Sequence, residues 1–74
     1  MEKNNVGSID FDFSIVPDKY KPDLTDELNK ELVYLTFKYY DQLKVRFRKD
    51  AIITMNDKEK RNVISLLKSK LGLE

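Results

Sequence analysis

The stretch of sequence that decides the fold is residues 24–47, which read LTDELNKELVYLTFKYYDQLKVRF. Its apolar side chains recur at intervals of three or four residues, the spacing that places them on one face of an α-helix. They are Leu24, Leu28, Leu32, Leu35, Tyr39, Leu43 and Phe47. The pattern predicts one long helix that runs to about residue 50.

This helix has a second apolar face and a clear start. The second face comprises Val33, Phe37 and Tyr40, and an apolar arc of this width predicts that the helix packs against two neighbours. Asp23 or Thr25 is suited to cap the first turn. Asp26 and Glu27 would then lie in that turn, where the helix dipole favours negative charge.

The end of the helix has an alternative interpretation. Residues 43–48 alternate between apolar and basic side chains, and residues 51–55 are rich in residues that favour strands. A β-hairpin that turns at Lys49 and Asp50 would give the element order β-α-β-β-α. We favour the single helix because the helical spacing continues unbroken into this segment.

A second, shorter helix is predicted over residues 57–71. Asn56 with Glu59 three residues later resembles a capping box, and Gly72 stands where a glycine commonly ends a helix, followed by an apolar Leu73. The apolar face comprises Val63, Ile64, Leu67 and Leu71. The short link between the helices favours an antiparallel helical hairpin.

Residues 8–16 are expected to form a β-strand, because Ile9, Phe11, Phe13 and Ile15 alternate with polar residues. The expected fold class is therefore mainly α, with this strand, the long helix and the shorter helix in a single small domain over residues 8–74. Residues 1–7 are polar and are expected to be disordered. Because 74 residues bury only a small core, we also expect a homodimer.

Composition argues against most kinds of chemistry. The chain contains no Cys and no His, which excludes disulfides, thiolate nucleophiles, imidazole metal sites and a Ser-His-Asp triad. We therefore expect no catalytic residue, no metal, no cofactor and no small-molecule substrate. The start of the chain lacks the apolar segment of a secretory signal, and no apolar run is long enough to cross a membrane. The expected location is the cytoplasm.

The net charge of +1 conceals a polarised chain. Residues 1–43 contain five basic and nine acidic residues, whereas residues 44–74 contain nine basic and four acidic residues. Two basic clusters are candidates for binding an anion or a nucleic acid. They comprise Lys44, Arg46, Arg48, Lys49, Lys58, Lys60 and Arg61. In a helical hairpin both clusters would lie at the loop end.

These features favour a non-enzymatic protein that binds another macromolecule, such as a regulator, inhibitor or adaptor. The expected partner is another protein, or a second copy of this chain, and the candidate contact residues are Phe11, Phe13, Tyr34 and Tyr40. The strand could also add to the sheet edge of a partner. The alternative is a nucleic-acid-binding protein that uses the two basic clusters.

Overall fold

The computed structural model describes residues 11–73, and these are mainly helical. Two single-turn 3₁₀ helices, Phe13–Ile15 and Asp18–Tyr20, come first. Four α-helices follow: α1 (Glu27–Lys38), α2 (Tyr40–Leu43), α3 (Lys49–Thr54) and α4 (Asp57–Leu71). The core comprises Val16, Leu32, Val33, Leu35, Ile52, Ile64 and Leu67.

The N-cap of α1 is Asp26, and not Asp23 or Thr25 as predicted. The carboxylate of Asp26 accepts hydrogen bonds from the backbone N–H groups of Leu28 (2.9 Å) and Asn29 (3.4 Å). Asp23 instead accepts from the backbone N–H and the hydroxyl of Thr25, at 3.0 and 2.7 Å. Because Asp23 and Thr25 bond to each other in this local turn, Asp26 is the residue that caps the helix.

The prediction of one helix to about residue 50 is wrong. The helical path ends at Leu43, and Lys44 adopts the left-handed conformation with φ 56°. Residues 44–48 then form no helix, and their side chains alternate between exposed and half-buried. Val45 and Phe47 both pack against the core. A helix would point these two side chains about 200° apart, so it could not bury both.

The alternative β-hairpin is not found in this part of the chain either. Residues 49–54 form the short helix α3, and residues 11–73 contain no strand. A helical turn buries Ile52, which is 1% exposed, while the neighbouring Ile53 remains 64% exposed. Helix α3 therefore anchors to the core through one apolar side chain.

The predicted strand is not present over residues 11–16; its first residues, 8–10, lie outside the described part of the chain. Asp12 accepts hydrogen bonds from the backbone N–H and the hydroxyl of Ser14, at 3.0 and 2.6 Å. These bonds turn the chain into the 3₁₀ helix Phe13–Ile15. Ile15, which belongs to the apolar face of the predicted strand, is 62% exposed, whereas the next residue, Val16, is buried.

Helix α4 confirms the prediction for residues 57–71 in its bounds and in both caps. Asn56 and Glu59 form the reciprocal capping box, with bonds of 2.8 and 2.9 Å. Gly72 has a φ of 74°, which glycine adopts without steric cost. The N–H of Leu73 donates to the carbonyl of Lys68 at 2.9 Å, completing a Schellman motif.

Helices α1 and α4 pack together, but they do not form the predicted antiparallel hairpin. One ion pair joins Asp26 at the start of α1 to Lys60 near the start of α4. A second joins Glu31 to Lys68, further along both helices. Because residue numbers rise together along the two helices, they run in the same general direction. The connection through α2 and α3 returns the chain to the start of α1.

Candidate protein-interaction surface

Four aromatic rings from two segments meet on one side of α1. The ring of Phe11 contacts those of Phe13 and Tyr34, with centroids 5.0 and 5.9 Å apart, and Tyr34 contacts Tyr39 at 6.1 Å. All three pairs are edge-to-face, the favourable arrangement for aromatic quadrupoles. All four side chains are half-buried. We call Phe11, Phe13, Tyr34 and Tyr39 the aromatic cluster.

Lysine side chains border the aromatic cluster. The ammonium of Lys38 lies 5.4 Å from the ring of Tyr34 and 5.9 Å from that of Tyr39. The ammonium of Lys30 lies 6.0 Å from the ring of Phe13. Cations at such distances are attracted to the negative ring faces. The surface therefore combines aromatic area with positive charge.

Tyr34 also affects the ionisation of Tyr39. The neighbouring Tyr34 side chain, reinforced by burial, raises the pKa of the Tyr39 phenol. The neutral phenol is thus the favoured form in the folded protein. Tyr39 was predicted only as part of the helical stripe, and its pairing with Tyr34 depends on the end of α1 at Lys38.

The fourth predicted contact residue, Tyr40, is part of a different group. The guanidinium carbon of Arg46 lies 4.2 Å from the ring of Tyr40 and 4.4 Å from that of Phe37. Phe37 also contacts Tyr20, with centroids 5.7 Å apart. The structure therefore brings Phe11, Phe13 and Tyr34 together and places Tyr40 with Arg46.

Two members of the predicted basic clusters, Arg46 and Lys60, lie at different positions along α1. Arg46 lies beside Phe37, whereas Lys60 lies beside Asp26. Along α1 these two positions are about 16 Å apart, at 1.5 Å per residue. The remaining five candidates, Lys44, Arg48, Lys49, Lys58 and Arg61, are all exposed.

Lys60 differs from the other basic candidates because its side chain is only 8% exposed. Its ammonium lies 3.5 Å from a carboxylate oxygen of Asp26. Burial acts to raise the pKa of the Asp26 carboxyl, but hydrogen bonds from Asn29 and Leu28 together with Lys60 outweigh it, and the pKa is lowered. Lys60 thus links α4 to the start of α1.

Sequence reasoning missed Asn29, which is 4% exposed. Its side-chain amide donates to the backbone carbonyl of Asp23 at 3.1 Å. This bond ties the segment before α1 to the helix itself. The sequence signal for this role is a polar residue within the apolar stripe. An amide buried at such a position requires a hydrogen-bond partner.

Within residues 11–73 we find no pocket and no cluster of acidic residues arranged to hold a metal ion. Glu31 is paired with Lys68 at 2.7 Å. None of the helices in this part of the chain has the length and apolar character needed to cross a membrane.

Comparison with known proteins adds no family. No protein-family model matches the chain, and no curated protein or solved structure matches it with statistical significance.

Proposed function

We propose that this protein is a small non-enzymatic interaction module, a regulator, inhibitor or adaptor, that binds another protein through the aromatic cluster. The observation that carries the proposal is the set of four rings, joined by three edge-to-face contacts, that remain half-exposed. Tyrosine is among the residues that contribute disproportionately to binding energy in protein interfaces. Its side chain loses little conformational entropy on binding because few bonds rotate.

The lysine side chains around the aromatic cluster indicate which kind of partner surface would be complementary to it. Lys30 and Lys38 lie over its rings, so a complementary surface would be apolar at its centre and acidic at its rim. A second copy of this chain could supply such a surface from its acidic residues 1–43. Homodimerisation is therefore one form of the proposed interaction.

The test compares three versions of the full chain in two experiments. Each version is used as bait to capture proteins from lysate of the source cell, and sedimentation equilibrium measures whether it forms a dimer. The first is the native chain and the second is Tyr34→Asp, which introduces a charge into the aromatic cluster. The third is Leu66→Asp, the matched control, since Leu66 is 57% exposed on α4. We expect Tyr34→Asp to lose the bound protein or the dimer, and Leu66→Asp to retain it.

Circular dichroism of each variant separates loss of binding from loss of folding. Nuclease treatment of the lysate tests the nucleic-acid alternative. Capture that disappears with nuclease and with Arg46→Glu, but persists in Tyr34→Asp, would replace the proposal with a nucleic-acid-binding function. Equal loss in Tyr34→Asp and Leu66→Asp would also contradict it.

A further inference from the structure

The segment between α2 and α3 presents a row of basic side chains on an irregular stretch of backbone. We call residues 44–48 the basic segment. It starts at Lys44 with φ 56° and ends at Arg48 with the extended angles φ −66° and ψ 152°. Lys44, Arg46 and Arg48 are exposed, whereas Val45 and Phe47 are half-buried. This alternation is typical of an extended chain with one face on the core.

The backbone of the basic segment makes few hydrogen bonds to the rest of residues 11–73. Within residues 11–73, no backbone hydrogen bond involves Val45, Arg46 or Phe47. Unpaired N–H and C=O groups along an extended chain form a template on which another extended chain can pair. The anchored apolar side chains keep this template in place, because Val45 and Phe47 pack against the core.

Arg46 is held in position by aromatic rings. Its guanidinium carbon is 4.2 Å from the ring centroid of Tyr40 and 4.4 Å from that of Phe37. A guanidinium held against rings still has N–H donors along its edges, and their fork matches a carboxylate. Lys44, Arg46 and Arg48 form no ion pair with another residue in the described part of the chain.

We propose that the basic segment binds an acidic peptide in an extended conformation. The peptide backbone pairs with the open N–H and C=O groups of residues 45–47, and its carboxylates meet Lys44, Arg46 and Arg48. This site is separate from the aromatic cluster and does not depend on the function proposed for it.

Two observations favour a peptide over a nucleic acid. The carbonyl groups of the basic segment need N–H donors at regular spacing, which a peptide backbone supplies and a phosphodiester backbone does not. Arg46 already covers the rings of Phe37 and Tyr40, so these rings are not free to stack on bases.

The test is an NMR titration of the isotope-labelled full chain with a synthetic peptide in which glutamate alternates with threonine. A matched peptide carries glutamine in place of glutamate. We expect the acidic peptide, and not the matched one, to shift the amide signals of Val45, Arg46 and Phe47. Arg48→Glu should weaken this binding severalfold, because loss of an exposed ion pair costs up to about fivefold and the new carboxylate also repels the peptide.

The matched control for charge is Arg61→Glu, which changes the net charge equally at an exposed position on α4. It should leave the affinity unchanged, as should Tyr34→Asp in the aromatic cluster. Arg46→Lys keeps the charge but lacks the planar fork, and we expect it to weaken binding as well. The amide spectrum of each free variant reports whether it is folded.

Three results would overturn the proposal. The acidic peptide could leave the amide signals of residues 45–47 unmoved, or Arg61→Glu could weaken binding as much as Arg48→Glu, which would indicate unspecific charge attraction. In the third, a single-stranded oligonucleotide would bind more tightly than the peptide and move the same signals, which would assign the segment to nucleic acid.

Discussion

Lys60 is buried although lysine is among the residues least often found inside proteins. Its ammonium is paired with the Asp26 carboxylate, whose side chain is 39% exposed, compared with 8% for Lys60. Removing Lys60 and removing the Asp26 charge should therefore have different effects on stability. Asp26 without Lys60 can still be hydrated, whereas Lys60 without the Asp26 charge is left as an unpaired buried cation.

We expect Lys60→Met to be neutral or stabilising, because methionine is of similar length and fills the same space without a charge. Asp26→Asn should lower the free energy of unfolding even though asparagine is also a good N-cap. Urea denaturation followed by circular dichroism measures both. If Asp26→Asn is harmless while Lys60→Met destabilises, the pair does not behave as a buried cation with a hydrated partner.

Tyr39 provides a second test at a single residue. The neighbouring Tyr34 side chain is the main cause of the raised pKa of Tyr39, followed by burial. Tyr34→Phe removes the neighbouring hydroxyl and should move the pKa of Tyr39 back towards the usual value of 10.0. Alkaline NMR titration of ring-labelled tyrosines resolves each residue. Tyr20→Phe is the control, and an equal effect of both substitutions would contradict the assignment.

Helix α3 shows that tertiary packing can outweigh local strand propensity, because its residues are rich in types that favour strands. Residues 51–55 contain two adjacent isoleucines, and the helix buries one and exposes the other. We expect Ile52→Ala to lower the free energy of unfolding by about 2–5 kcal/mol. Ile53→Ala should change it by less than about 0.5 kcal/mol. Chemical denaturation of the two variants measures the difference, and similar costs would be incompatible with a helix in this orientation.

The two long helices differ in how far local sequence predicts them. For α4, the capping box of Asn56 and Glu59 and the terminal Gly72 lie within the helix and its ends, so a local pattern was sufficient. For α1, the stripe continued through Leu43 and Phe47, but no cap marked the end. After α2 the chain leaves the helical path at Lys44, because burying both Val45 and Phe47 requires an extended path.

For the molecule as a whole, we expect stability to fall on acidification. The pKa values of Asp12 and Asp23 are lowered by hydrogen bonds from Ser14 and Thr25, and that of Asp26 is lowered by its amide bonds and Lys60 despite burial. A carboxyl with a lowered pKa in the folded state stabilises the fold above its unfolded value of 3.8. This contribution is lost as the pH falls through the lower, folded value.

Urea denaturation at neutral pH and at several values below 4 measures this dependence. Asp26→Asn should reduce the slope of stability against pH, because one of the three groups no longer titrates. A free energy of unfolding that stays constant or rises on acidification would contradict the assignment of these three pKa directions.

The direction of the helices also decides how charge is distributed over the whole molecule. An antiparallel hairpin would have gathered both basic clusters at one end. The parallel arrangement instead places Lys60 at the start of α1 and Arg46 near its end. Arg46 of the basic segment therefore lies apart from Lys60 of α4.

Local sequence alone determined the mainly helical class, the bounds and caps of α4, and the start of α1 to within a few residues. These features depend on interactions between neighbours along the chain, such as caps and helical periodicity. Only the tertiary structure decided the end of the first helix, the turn at Asp12 and the parallel direction of α1 and α4. Each of these depends on which distant side chains share the small core, and no local pattern carries that information.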